Sequence, residues 1–194
     1  MIGELPQDMK FGGGKTTVKI GDEAVIREFV TIHRGTKARG ETTIGKNVVL
    51  MAYSHVAHDC VLGNNVTMIN LVTLGGHVEI DDWAMLSGGV MVHQFVKIGA
   101  HAFIGGLFRV SQDVPPFVLA VGEPLKYGGI NSVGLRRRGF SLKDRINIKH
   151  AYRLYFRSGL NPSEALKRIK SKFHNEKNIL SIVDFIENSK RGII

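Results

Sequence analysis

A single cysteine, Cys60, leaves no internal disulfide to form, and its place in an inward-facing series makes it a small core residue rather than a nucleophile. No apolar run approaches the roughly 18 to 20 residues of a membrane span. Met1-Ile2-Gly3-Glu4-Leu5-Pro6 has neither the basic start nor the apolar stretch of a secretory leader, so a reducing, cytoplasmic setting is expected. Acidic residues are scarce in the last third: residues 134–194 carry 15 Lys or Arg against 5 Asp or Glu, whereas residues 1–133 carry 11 against 12. The excess behind the net charge of +9 therefore sits in the tail, a surface for an anionic partner. No nucleic-acid motif and no aromatic platform accompanies it, which argues against DNA or RNA.

What is present is a six-residue beat. From Ile44 it reads Ile44, Leu50, Val56, Leu62, Met68, Leu74, Ile80, Leu86, Val92, Ile98, Ile104 and Val110, without a polar residue. If about a third of residues are aliphatic, twelve consecutive hits arise by chance about twice in a million, so the pattern is structural. Continued backwards, the beat meets Ala38, Ile32, Ile26 and Ile20. Four residues after each beat position stands a second inward candidate, among them Val48, Ser54, Cys60, Val66, Ala102, Phe108 and Val114. This is the signature of a parallel β-helix, in which three short strands and three corners complete a coil of about 18 residues. Coils stack about 4.8 Å apart, so residues i and i+18 form columns. Gly63-Asn64-Asn65, Gly75-Gly76, Asp81-Asp82 and Gly88-Gly89 fall between beats, where corners demand residues that accept positive φ.

The beat stops at Pro115-Pro116. Residues 1–116 read as the β-helix, 117–140 as an irregular connector with the basic turn Arg136-Arg137-Arg138, and 141–194 as a helical domain. Helices are predicted over Leu142 to Ser158 behind a Ser141/Asp144 capping box, from Asn161-Pro162 to about Phe173, and over Asn178 to Ser189. The expected fold class is mainly β: a left-handed parallel β-helix of hexapeptide repeats followed by a small α-helical C-terminal domain.

Six of the eight histidines, His33, His55, His58, His77, His93 and His101, lie in the β-helix and none is on the beat. The column rule stacks Gly76 and then Gln94 on His58, and His77 on Asp59. An imidazole can take a proton from a hydroxyl, a neighbouring carboxylate can orient it, and a glycine overhead leaves a backbone N–H for a developing oxyanion. His101 reads as a solvated corner residue; His33 and His93 stay open between that and function. Zinc held by His55, His58 and His77 is the weaker reading, because β-helical carbonic anhydrases space two histidines five apart on one strand, and here they stand three apart with an acid following. No metal is expected.

The strings Pro6-Gln7-Asp8-Met9-Lys10, Thr31-Ile32-His33-Arg34-Gly35, His55-Val56-Ala57-His58-Asp59-Cys60, Gly75-Gly76-His77-Val78, Val92-His93-Gln94-Phe95, Ser111-Gln112-Asp113-Val114-Pro115-Pro116 and Leu135-Arg136-Arg137-Arg138-Gly139-Phe140 closely resemble the acyl-carrier-protein-dependent UDP-N-acetylglucosamine O-acyltransferases that begin lipid A synthesis. The resemblance runs the whole chain. It implies transfer of an (R)-3-hydroxyacyl group to the sugar 3-position by direct attack, with His58 as general base, Asp59 as its orienting partner and Gly76 as oxyanion donor. Asp8, Lys10, His55, His77 and Gln94 correspond to substrate-binding positions. Asn131, Arg137 and Arg138 match those towards the nucleotide and its phosphates, a task suited to the guanidinium fork. Gly106, in a column with Asn70 and Gly88, matches the acyl-chain ruler, and Val133 stands where an acid is common. The resemblance further implies a homotrimer with the site between subunits, acyl carrier protein and UDP-N-acetylglucosamine as partners, and no cofactor beyond the donor's phosphopantetheine thioester. Family members carry several more coils before the Pro-Gln-Asp string, so a fragment or shortened gene product is expected, with strand edges of its first coil uncovered. Two other readings stay open: the related N-acyltransferase acting on UDP-3-O-acylglucosamine, which lacks the Arg-Arg-Gly-Phe string, and a non-catalytic β-helical scaffold, which has no need of His58, Asp59 and Gly76 in register.

Overall fold

Three parallel sheets form the faces of a prism in the structure, a computed structural model that describes residues 1–194. The first face stacks Ile2–Glu4, Thr31–His33, His55–Val56, Thr73–Leu74, Met91–Val92 and Arg109–Val110. The second stacks Thr17–Ile20, Glu41–Ile44, Val61–Leu62, Glu79–Ile80 and Lys97–Ile98, and the third Val25–Ile26, Val49–Leu50, Thr67–Met68, Met85–Leu86 and Phe103–Ile104. From Ile44 onward every beat residue is buried, and the chain is the left-handed parallel β-helix its repeat describes. The 18-residue columns hold there: Leu62 pairs with Ile80 and Ile80 with Ile98.

Below Ile44 the columns change. Ile20 pairs with Ile44, Ile26 with Leu50 and Ile32 with Val56, all 24 residues apart. Residues 34–40 leave the coil as a loop, and Ala38, which the backward beat assigns to the axis, is exposed. The insertion adds one hexapeptide's length to the coil, so it leaves the phase of the pattern intact and hides in the sequence.

The corner glycines also serve a different purpose from the expected one. The left-handed positions are occupied by side-chain-bearing residues, among them Asn65, His77, Trp83 and Phe95 with φ of 58, 62, 64 and 65°. Of the glycines read as corner residues, only Gly89 has positive φ. Gly63 and Gly75 follow the beat directly, as Gly45 does, and there the next coil leaves no room: a Cβ on Gly45 would lie 2.4 Å from the Gly63 carbonyl oxygen, and one on Gly75 2.8 Å from the Gln94 nitrogen.

The stretch expected to be irregular is ordered. Val118–Val121 extends the third face by pairing in parallel with Phe103–Ile104, and Lys126–Ile130 returns antiparallel to it. Gly128 lies within that second strand because its would-be Cβ is 2.7 Å from a Val121 methyl, so a glycine read as a loop signal marks close approach. Helix α1 (Ser132–Arg137) follows, capped by Asn131, then α2 (Leu142–Arg157), α3 (Pro162–Lys172) and α4 (Lys177–Glu187). The Ser141/Asp144 capping box and the Asn161 cap with Pro162 are both formed. A cluster of 40 buried apolar residues runs unbroken from Val30 to Ile186. Fully buried Tyr152 of α2 donates to the Pro116 carbonyl, so the prolines end the coils without ending the core. The last residues return to the prism, where Asp113 N–H donates to Gly192 and Ile194 N–H to Asp113 at 2.9 and 3.2 Å. No helix is long and apolar enough to cross a membrane.

Candidate active site

His58 and Asp59 turn the corner from the first face to the second. Asp59 is fully buried, and its Oδ2 accepts from His58 Nδ1 at 2.8 Å. The same oxygen accepts from the Thr36 hydroxyl at 2.7 Å, while Oδ1 accepts from the Thr36 backbone N–H at 2.9 Å. Asp59 N–H donates to Thr42 Oγ1 at 2.9 Å. Burial alone would push the carboxyl up; the bonds from His58 and Thr36 outweigh it and hold Asp59 below the usual carboxylate range. An ionised Asp59 fixes the proton on His58 Nδ1 and leaves Nε2 as the free lone pair.

Gly76 lies against the Cε1–Nε2 edge of that ring. A Cβ there would sit 2.7 Å from His58 Nε2 and 2.6 Å from Cε1, so no side chain fits. Its N–H donates to no backbone carbonyl, and its own carbonyl accepts from Phe95 N–H at 3.0 Å. His77 closes the group: its ring meets His58 edge-on at 5.1 Å between centroids, stacks on Phe95 at 4.4 Å, and holds Nε2 3.7 Å from Asp59 Oδ2. Burial lowers the pKa of His77, against the opposing pull of Asp59.

Of the other expected residues, Asp8 and Lys10 share a turn in which Lys10 N–H donates to Asp8 Oδ1 at 2.9 Å, and the charge of Asp8 reaches His77. His55 pairs through Nδ1 with Thr31 Oγ1 at 2.7 Å, and burial, then the neighbouring His33 and His58, lower its pKa. Gln94 and His93 are exposed. His33 is buried, not solvated, edge-on to His55 at 5.0 Å. His58, Asp59 and His77 bring donor atoms within 4.8 Å of one another, the spacing of a metal site, but both Asp59 oxygens already accept hydrogen bonds; His55, counted in the zinc reading, turns to Thr31 instead.

Asn131, Arg137 and Arg138 lie elsewhere, along the third face. With Met85, Phe103, Leu119 and Val133 they line a cavity of about 500 Å³. Asn131 caps α1 and donates to the His101 carbonyl at 3.0 Å. Arg138 sits over Trp83 at 5.1 Å and reaches His101 Nδ1 at 3.3 Å. His101, read from sequence as a solvated corner, is sandwiched between Trp83 and Phe117. Burial and the Arg138 charge push its pKa down to about 4. Gly88 and Gly106 line the third edge as their column implies, with a Gly106 Cβ only 3.2 Å from the Gly88 carbonyl oxygen.

Thr36 is the site residue that the sequence reading missed. It lies in the loop 34–40, and its 23-residue separation from Asp59 fits no 18-residue column. A wide coil spacing is its only sequence signal, and the hexapeptide-length insertion conceals it.

Comparison with known proteins gives one answer. A family described as UDP N-acetylglucosamine O-acyltransferase, domain 2, matches residues 113–194, and the bacterial transferase hexapeptide family matches residues 41–68. The acyl-[acyl-carrier-protein]–UDP-N-acetylglucosamine O-acyltransferase of Aliivibrio fischeri strain MJ11 is 48% identical over 195 residues, all of this chain and 74% of the relative. That of Thiobacillus denitrificans is 43% identical over 194 residues, all of this chain and 75% of the relative. The solved UDP-N-acetylglucosamine acyltransferase of Bacteroides fragilis superposes with a TM-score of 0.98 at 48% identity, covering 100% of this chain and 76% of its own. The Arabidopsis enzyme gives 0.93 at 35%, covering 98% and 70%.

Proposed function

Since the chain belongs to the UDP-N-acetylglucosamine O-acyltransferase family, we propose that the His58–Asp59–Gly76 stack is where it moves an acyl group from acyl carrier protein to the 3-position of UDP-N-acetylglucosamine. The reaction is a step of lipid A biosynthesis. The observation that carries the assignment is a His58 ring with Nδ1 committed to a buried carboxylate, so that Nε2 meets a glycine backbone that admits no side chain. Nε2 takes the proton of the sugar 3-hydroxyl as its oxygen attacks the thioester carbonyl. Gly76 N–H stabilises the resulting oxyanion. Collapse expels the phosphopantetheine thiolate, which recovers the proton from the imidazolium.

Asp8, Lys10, His55, His77 and Gln94 are assigned to the sugar side of the pocket, with His77 edge-on to His58 in support, whereas Asn131, Arg137 and Arg138 are assigned to the diphosphate and nucleoside. One chain keeps these two sets on different parts of the prism, which supports a site shared between subunits of a trimer. The edge between the third and first faces carries exposed Phe29, Tyr53, Leu71 and Leu107, an apolar seam suited to burial against a neighbour. The acidic carrier protein docks on the basic helical domain, where α2 presents exposed Lys149, Arg153 and Arg157 in successive turns beside Gly128 and Gly129. The hydroxyacyl chain runs along the Gly88–Gly106 edge, and the reaction is cytoplasmic and independent of added cofactor.

The decisive experiment is acyl transfer from hydroxyacyl carrier protein to UDP-N-acetylglucosamine with His58→Ala in parallel. Activity in the parent and its loss by at least 1,000-fold in the variant are expected, in line with removal of a general base that acts in both proton transfers. A variant as active as the parent would refute the mechanism.

A further inference from the structure

We propose that Thr36 is a positioning residue of the transfer reaction, clamping Asp59 through both oxygens so that His58 presents its Nε2 to the acceptor hydroxyl. This rests on the reading of His58 as base. Thr36 Oγ1 accepts from the Ala38 N–H at 3.2 Å, which leaves its own proton for Asp59 Oδ2. Its backbone N–H covers Oδ1. Asp59 is thus gripped by two adjacent donors from one residue, with His58 as third partner.

The loop that delivers Thr36 is built to hold it still. Arg34 N–H donates to Glu4, Gly35 N–H to Thr17 and Gly40 N–H to the Thr36 carbonyl, at 3.1, 3.2 and 2.7 Å. Gly35 is pressed against the next strand, where a Cβ would lie 2.3 Å from the Glu41 nitrogen. The hexapeptide insertion widens the coil by one loop and uses that loop to supply a hydroxyl the regular coil lacks. The other charged or titratable groups acting on Asp59 and its neighbours are His77 from the next coil, Arg39 from the same loop, Asp8 from the N-terminal loop, Cys60 beside it, and His33 and His55, which couple to His58.

Thr36→Val removes the hydroxyl while keeping shape and backbone N–H. The expected result is a fall in kcat of about 10- to 100-fold, as for loss of one charge-assisted hydrogen bond, with KM for UDP-N-acetylglucosamine within about twofold. An Asp59 with one donor fewer binds protonated imidazole more tightly, so the acid limb of kcat/KM moves to higher pH. Thr36→Ser restores both, since it returns the hydroxyl. A purely structural role would lower the melting temperature and active fraction without moving the acid limb. Parent-like kcat and acid limb in Thr36→Val, or a Ser variant no better than Val, would overturn the proposal while an inactive His58→Ala left the base in place. An active His58→Ala would overturn both. If Thr36→Val does not fold, Thr36→Ala against Thr36→Ser gives the same comparison.

Discussion

Gly76 makes a demand on composition that no other position in the column makes. Its neighbours tolerate bulk, but its own Cβ would occupy space held by the His58 ring. Gly76→Ala is therefore expected to fold and to lose roughly 100-fold in kcat, because displacing a reacting group by about 1 Å costs that much. A kcat within threefold of the parent would remove Gly76 from the site. His101 is a second residue governed by its surroundings. Its pKa is depressed from 6.5 to about 4. Between those values the unfolded chain binds a proton that the folded chain does not, so the stability owed to a neutral His101 is complete above pH 6.5 and is lost as pH falls towards 4. His33, His55 and His77 are shifted in the same direction. The melting temperature should fall over that window, and His101→Phe should reduce the slope; an unchanged slope would separate His101 from acid lability.

At the scale of elements, the coil edges are the proposed seat of specificity, and the strands set register. Asn70, Gly88 and Gly106 stack along one edge, and the two glycines keep it free of side chains. Gly106 is not in the left-handed region, and a Cβ there needs the Gly88 carbonyl oxygen, 3.2 Å away, to give by a few tenths of an ångström. Gly106→Met should move the preferred donor to a chain several carbons shorter, read from a series of hydroxyacyl carrier proteins. An unaltered preference would place the acyl chain elsewhere. The repeat made the strands legible, because an inward side chain every six residues is a requirement of the axis. It misled at Ala38, where an insertion of repeat length preserved the phase, and at residues 117–140, where close packing rather than turning explains Gly128.

Across the whole molecule, the separation of His58 from Asn131, Arg137 and Arg138 and the basic helical domain fit the shared site and the docking surface proposed above. The basic domain should bind the carrier protein through long-range attraction, since the Debye length is about 10 Å at 0.1 M salt. Arg153→Glu combined with Lys149→Glu is expected to raise KM for the acyl donor about tenfold at low salt, with little change in kcat, and the difference should shrink above roughly 0.5 M salt. A donor KM indifferent to both salt and charge reversal would place the docking surface elsewhere.

The sequence by itself determined the coil, the three helices that follow residue 140 and the adjacency of His58 and Asp59. These depend on local spacing: a beat for the axis, caps for helix starts, and adjacent positions for His58 and Asp59. Tertiary structure alone decided what holds that pair and where its counterpart lies. Thr36 reaches Asp59 across a loop whose length is silent in the repeat, His101 is packed between Trp83, Phe117 and Phe140, and Arg138 joins it from within the connector. Contacts between distant segments leave no period in the chain, because what fixes them is how coils, loop and helices pack against one another.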